Sequence, residues 1–210
     1  MNSIFQDNSE KIILDLCGGT GAWSLPYKQN GYDVRIITKP HSDVFTYEDY
    51  KNEVSKIYGI LAAPDCTQFS FARTTAKTPR DLQSGFALVQ RCLEIIWFCR
   101  LNGKLKFWAL ENPLGILRQF LGKPALVFDP CDYGDNYTKK TDLWGYFNAP
   151  KMKPRQLSET EKLFSKTNGR HLSAIGLPKD YVLPDDFTTR KAKRSMTSKN
   201  FAEAFYKANK

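Results

Sequence analysis

Short apolar runs alternate with longer amphipathic stretches along this chain. Lys11–Leu16 (KIILDL) is a continuous apolar run that breaks at Cys-Gly-Gly-Thr-Gly, the pattern of a buried strand entering a glycine-rich turn. Ala22–Asn30 predicts a helix stopped by Gly31. Asp33–Thr38 and Tyr58–Ala62 predict two more strands, the latter ending at Pro64. Residues 81–101 predict a long helix with Phe86, Val89, Leu93, Ile96 and Phe98 on its apolar face and Asn102-Gly103 at its end. Lys106–Leu110 reads as a strand leading into Glu111-Asn112-Pro113, and Gly115–Leu121 as a short helix. Leu126–Phe128 and Asp142–Phe147 are the last strands, and Asn200–Ala208 a closing amphipathic helix. Strands alternating with helices imply an α/β fold with a mostly parallel, doubly wound sheet. The pattern divides the chain into a core over 1–147, a Pro-, Lys-, Ser- and Thr-rich excursion over 148–193, and a returning segment over 194–210.

In such sheets ligands collect beyond the carboxyl ends of the strands. Three chemistry-bearing stretches fall there: Gly18–Gly21, Pro64–Ser70 and Glu111–Pro113. The first lacks a full GxGxxG, because Ser24 holds the last position, and leaves Asp15, Gly19 and Gly21 in a shorter pattern. That suits a nucleoside-bearing ligand without a pyrophosphate, or simply a tight turn. Cys66 follows a strand and a proline, where a thiol is either a nucleophile, if its thiolate is stabilised, or a buried structural residue. Glu111 is either a proton donor or the cap of the following helix.

Composition narrows the class. With 210 residues, 41% hydrophobic and 25% charged, the chain fits one globular domain. No apolar run reaches the roughly 18 residues that span a bilayer, and the polar N-terminus does not read as a secretory signal. A formal charge of +9 favours polyanions, nucleic acid first, over a merely Lys-rich surface. Five cysteines without a CxxC pair fit a reducing, cytoplasmic setting, and with two histidines a metal site is not expected.

Taken together and in order, these stretches resemble the C5-cytosine-specific DNA methyltransferase family. Asp15-Leu16-Cys17-Gly18-Gly19-Thr20-Gly21 is similar to its first cofactor motif, and Pro64-Asp65-Cys66-Thr67-Gln68-Phe69-Ser70 to its nucleophile loop. Glu111-Asn112-Pro113 matches its Glu-Asn-Val/Pro motif, and residues 137–145 fall where a basic, ring-contacting strand is expected. Residues 194–209 resemble the closing segment of compact phage-type members, for which the setting is a bacterial or phage-infected cell. The resemblance implies a Rossmann-like S-adenosylmethionine-dependent fold with helices on both faces. It implies Cys66 and Glu111 as catalytic residues. Cofactor contacts would come from Asp15, Cys17, Gly19, Gly21, Trp23, Thr38, Asp43 and Pro64. Arg73, Lys77, Arg80, Asn112, Lys139 and Lys140 would meet cytosine-containing double-stranded DNA, bound by a monomer, with the target base flipped out.

The sequence departs from the family at several points. Cys17 replaces an aromatic, Ile37-Thr38-Lys39 stands where an acid would hold the ribose, and Asp65 replaces a proline. Lys139 and Lys140 replace arginines. Lys39 would favour a cofactor analogue with extra negative charge. Two other functions remain open: a non-catalytic, DNA-binding relative that acts as a protective or decoy protein, and a modifier of RNA or of a free pyrimidine nucleotide.

Overall fold

The computed structural model describes residues 7–73, 76–162 and 195–210. Six strands form one sheet: β1 (Ile12–Leu16), β2 (Asp33–Ile37), β3 (Ile57–Ala62), β4 (Phe107–Pro113), β5 (Leu126–Phe128) and β6 (Thr141–Tyr146). Their order is β2-β1-β3-β4-β6-β5. β1 to β4 pair in parallel, and β6 runs antiparallel between β4 and β5. The α/β class and mostly parallel sheet expected from the apolar pattern are present, in a form compatible with a Rossmann-like fold.

Every residue of β1 is buried, because helices cover both faces of the sheet. On one face α2 (Leu82–Asn102) sets Val89, Cys92, Ile96 and Cys99 against Leu14, Leu16, Ile60 and Leu110. On the other, α1 (Leu25–Gln29) and α4 (Lys199–Ala208) bring Tyr27, Phe201 and Phe205 onto Ile13, Leu61, Phe107 and Leu143. Ser198 caps α4 by accepting from the Phe201 N–H, and its own hydroxyl donates to Asp135. Phe205 is fully buried, with ring centroids 5.4 Å from Trp23, 5.8 Å from Phe107 and 5.5 Å from Phe147. Phe205→Ala is therefore expected to lower unfolding stability by about 3–5 kcal/mol in chemical denaturation. A loss under about 1 kcal/mol would remove α4 from the core.

Three elements differ from their expected bounds, each for a local reason. Ala22, Trp23 and Ser24 form a turn rather than helix, because the Ser24 hydroxyl bonds Asp15 and the Gly21 carbonyl, and Pro26 then opens α1. β4 does not stop at Leu110: β6 pairs it through Glu111↔Leu143, Asn112↔Asp142 and Pro113↔Thr141. α3 (Arg118–Leu121) is a single turn, since residues 114–116 bridge the stretch after Cys66. Ile116 N–H donates to the Phe69 carbonyl and Phe71 N–H to that of Leu114. A Cβ on Gly115 would lie 2.3 Å from the Phe69 oxygen, so this approach requires glycine.

Most of the 148–193 excursion, together with Arg194, lies outside the described residues. Among the described residues no helix is long and apolar enough to cross a membrane.

Candidate active site

From β1 the chain goes to β2 on one side of the sheet and on to β3 on the other, which makes the carboxyl ends of β1 and β3 the switch point. Leu16 pairs with Ala62 there, and the Ala63 N–H donates to the Leu16 carbonyl at 2.9 Å. The glycine turn and the Cys66 loop thus leave the sheet side by side.

The loop is tightly held. Pro64 is buried and Asp65 exposed, with the Asp65 carboxylate accepting from the Thr67 N–H at 2.6 Å. Phe69 and Ser70 N–H groups both donate to the Cys66 carbonyl, and fully buried Phe69 anchors the far end. Arg80 donates to the carbonyls of Gln68 (2.7 Å) and Ser70 (3.0 Å). Asn112, fully buried, donates to the Pro64 carbonyl at 3.0 Å. Arg80 and Asn112 were expected at DNA, yet their polar groups brace the loop, because its turning backbone leaves carbonyls that need donors. Arg73 folds back onto Thr78 Oγ1 and the Pro79 carbonyl, and Lys77 is exposed.

Glu111 sits inside β4 and caps no helix. Its carboxylate lies 4.0 Å from the Lys139 ammonium, with only 13% of the Glu111 and 18% of the Lys139 side chain exposed. Burial pushes the Glu111 carboxyl above its ordinary range, Lys139 opposes the shift, and Asp142 adds to it. Burial likewise raises the Cys66 thiol, helped by the negative charges of Glu111 and Asp65 and opposed by Lys139. The fold therefore brings Cys66, Glu111 and Lys139 into one electrostatic unit. Lys140, by contrast, points its charge towards Asp129 at 3.9 Å and is half-exposed.

A pair that the sequence reading missed lies beneath them. Arg118 grips fully buried Asp142 with two bonds of 2.5 Å. The available signal was an acid inside an apolar strand, which requires a partner. Its partner, 24 residues upstream, could not be read from the strand.

The expected cofactor residues divide into two groups. Cys17, Gly19 and Gly21 all have positive φ (58°, 55° and 72°) and shape the turn. Asp15 lies fully buried under it, accepting from Ser24 at 2.5 Å, with Oδ1 left without a hydrogen-bond partner. Trp23, however, is 2% exposed and packed against Phe201 and Phe205, so its ring is committed to the core rather than offered to a ligand. Cys17 Sγ lies 3.9 Å from Cys92 Sγ on α2. Thr38 is partly exposed, and its carbonyl accepts from Ser42. Asp43 accepts from the Phe45 N–H and pairs with Lys39 at 3.0 Å. Lys39 is thereby matched by a carboxylate of its own segment, which weakens the expectation of an additionally charged ligand. A groove of about 450 Å³ runs past His41, Asp43, Tyr47 and Glu48, beyond β2, and is lined by neither the glycine turn nor Cys66. Among the described residues no group of His, Cys, Asp and Glu is arranged to hold a metal ion.

Asp15 gives the fold a pH signature. Burial raises its carboxyl from 3.8 to about 7, with the Ser24 bond opposing the shift. The contribution to stability is complete below about 3.8 and is lost as pH rises through about 7. Asp15→Asn should flatten that loss, on the order of 4 kcal/mol. Melting curves of both proteins across this window test it, and parallel pH profiles would show that Asp15 ionises normally.

No family model matches this chain, and no curated protein matches it.

Proposed function

We propose that this protein is an S-adenosylmethionine-dependent cytosine-C5 methyltransferase acting on DNA. The observation that carries the reading is the convergence of Cys66, Glu111 and Lys139 beside the glycine turn at the switch point of the sheet. The motif resemblance supports the same assignment, and the Rossmann-like sheet is compatible with it.

The residues suit a covalent mechanism. C5 of cytosine is a weak nucleophile until a thiolate adds at C6 and makes it enamine-like. Cys66 would supply that thiolate. Glu111, whose burial favours the protonated carboxyl, would donate to N3 as electron density moves into the ring. Lys139, next to both, would offset the negative charge that develops on sulfur and ring. After transfer, solvent takes the C5 proton, Cys66 leaves as the thiolate, and N3 returns its proton to Glu111. Bracing by Arg80 and Asn112 keeps the sulfur aimed at one position.

S-adenosylmethionine, when bound, would supply an electrophilic methyl group. The turn would meet its amino-acid end at Gly18 and Gly19, which are partly exposed, while Gly21 is buried with its N–H bonded to the Gly18 carbonyl; the orphaned Oδ1 of Asp15 suits a donor seated on the turn. The adenosine end lacks both an aromatic platform at Cys17 and a ribose acid at Thr38.

The test is incubation with cytosine-containing DNA and methyl-labelled cofactor, followed by nucleoside analysis. Label in 5-methylcytosine supports the reading, and DNA binding without cofactor binding by calorimetry overturns it in favour of a non-catalytic relative.

A further inference from the structure

Two phenylalanines near the Cys66 loop stand about half exposed to solvent. Phe71, five residues beyond Cys66, is 54% exposed, and Phe120 on α3 is 50% exposed. Phe71 lies at the junction where Ser70 bridges Gly115 and the Phe71 N–H meets the Leu114 carbonyl, and the chain runs on from that junction into α3, which carries Phe120. Phe120 stands edge-on to Phe86 at 4.9 Å, and Phe86 in turn packs against buried Phe69 of the loop. Phe120 is therefore fixed at its base while half of its surface stays open.

Cations are interleaved with these rings. Arg73, two residues after Phe71, donates to Thr78 Oγ1 and the Pro79 carbonyl, while Lys77 and Lys123 are exposed. The whole chain carries a formal charge of +9, so the surface complements a polyanion. Aromatic faces alternating with cations are the chemistry that holds unstacked bases along a phosphate backbone. A duplex keeps its base faces hidden, and offers such rings nothing to stack on unless it is opened.

We propose that Phe71 and Phe120 form a stacking platform at the mouth of the Cys66 site, and that the preferred substrate is single-stranded nucleic acid. This rests on the proposed function in taking Cys66 as the residue that meets the target base. The bases next to the target lie against the two rings, and Arg73, Lys77 and Lys123 follow the backbone. A strand already unpaired extrudes its cytosine at the cost of unstacking alone, with no base pair to break.

The experiment measures binding and chemistry separately. Fluorescence anisotropy follows a labelled oligonucleotide of about 12 nucleotides, within the span such grooves cover. It is presented as a single strand, as a duplex and as the ribonucleotide of the same sequence. The wild type should bind single strands more tightly than duplex, and the deoxy- and ribo-oligonucleotides tell which backbone it prefers. Phe71→Ala and Phe120→Ala should each weaken single-strand binding roughly five-fold or more, with little change for duplex. Phe71→Trp should retain it. Both alanine variants replace half-exposed rings, and unchanged melting temperatures establish that they fold. Duplex binding as tight as single-strand binding, or alanine variants that bind single strands like the wild type, overturn the proposal. Labelled methyl transfer, read in the same samples, separates the two ideas. Methylation with no ring dependence sinks the platform alone, whereas ring-dependent binding without any transfer sinks the proposed function alone.

Discussion

Cys66→Ala is expected to abolish methyl transfer while leaving the fold and nucleic-acid affinity nearly intact. The other four thiols are engaged or placed elsewhere: Cys17 and Cys92 contact each other across the sheet–helix interface, Cys99 is buried in the core, and Cys131 lies in the helical turn Pro130–Tyr133. Without the covalent adduct C5 stays unreactive, so a loss of roughly a thousand-fold or more follows. The measurement is label incorporated into DNA at saturating cofactor, with anisotropy as the control for binding. A second readout uses cytosine fluorinated at C5, from which no proton can be lost. The wild type should remain covalently attached to such DNA on a denaturing gel, and the variant should not. Transfer surviving in Cys66→Ala would eliminate the thiol mechanism.

Glu111→Gln carries the second largest effect. Glutamine keeps the shape and one donor but cannot deliver a proton, so transfer should fall by roughly a hundred- to ten-thousand-fold. The pH profile is more diagnostic than the rate. In the proposed mechanism the productive form needs Cys66 deprotonated and Glu111 protonated. Both groups are raised by burial, but a thiol starts from about 9.0 and a carboxyl from about 4.5, so the productive form is the minor arrangement of a single shared proton. Activity of the wild type should therefore be bell-shaped. At low pH the thiol keeps its proton, and at high pH neither group has one. In Glu111→Gln only the thiol titrates, so the descending alkaline limb should vanish and the residual rate should climb with pH to a plateau. A variant that keeps the full bell would mean that Glu111 is not the second titrating group.

Lys139 tempers both groups, being the cation that opposes both shifts. Its position also explains why a lysine serves here. It acts as a compact charge 4.0 Å from Glu111, and the bidentate geometry of arginine is already supplied by Arg118, which grips Asp142 on β6, opposite Asn112 of β4.

The local pattern along the chain was sufficient for the strands, the long helix and the class of fold. Continuous apolar runs such as Ile12–Leu16 can be buried on two faces only in a covered, mostly parallel sheet. The same pattern placed Cys66 and the glycine turn at strand exits, since glycine and proline break strands wherever they fall. Residue roles that depend on a distant partner were not legible. Arg80 and Asn112 read as cations and amides available to DNA, because nothing local reveals the Gln68, Ser70 and Pro64 carbonyls that they satisfy. Trp23 beside a glycine turn looked like a ligand platform until α4, nearly 180 residues later, supplied Phe201 and Phe205 to cover it. Glu111 looked like the end of a strand, because its continuation depends on β6 running antiparallel alongside. Which chemistry is available could be read along the chain, since side-chain type and strand breaks are local properties. Which groups are free to use it depends on the folded arrangement, because burial and hydrogen-bond satisfaction are set by residues far away in the chain.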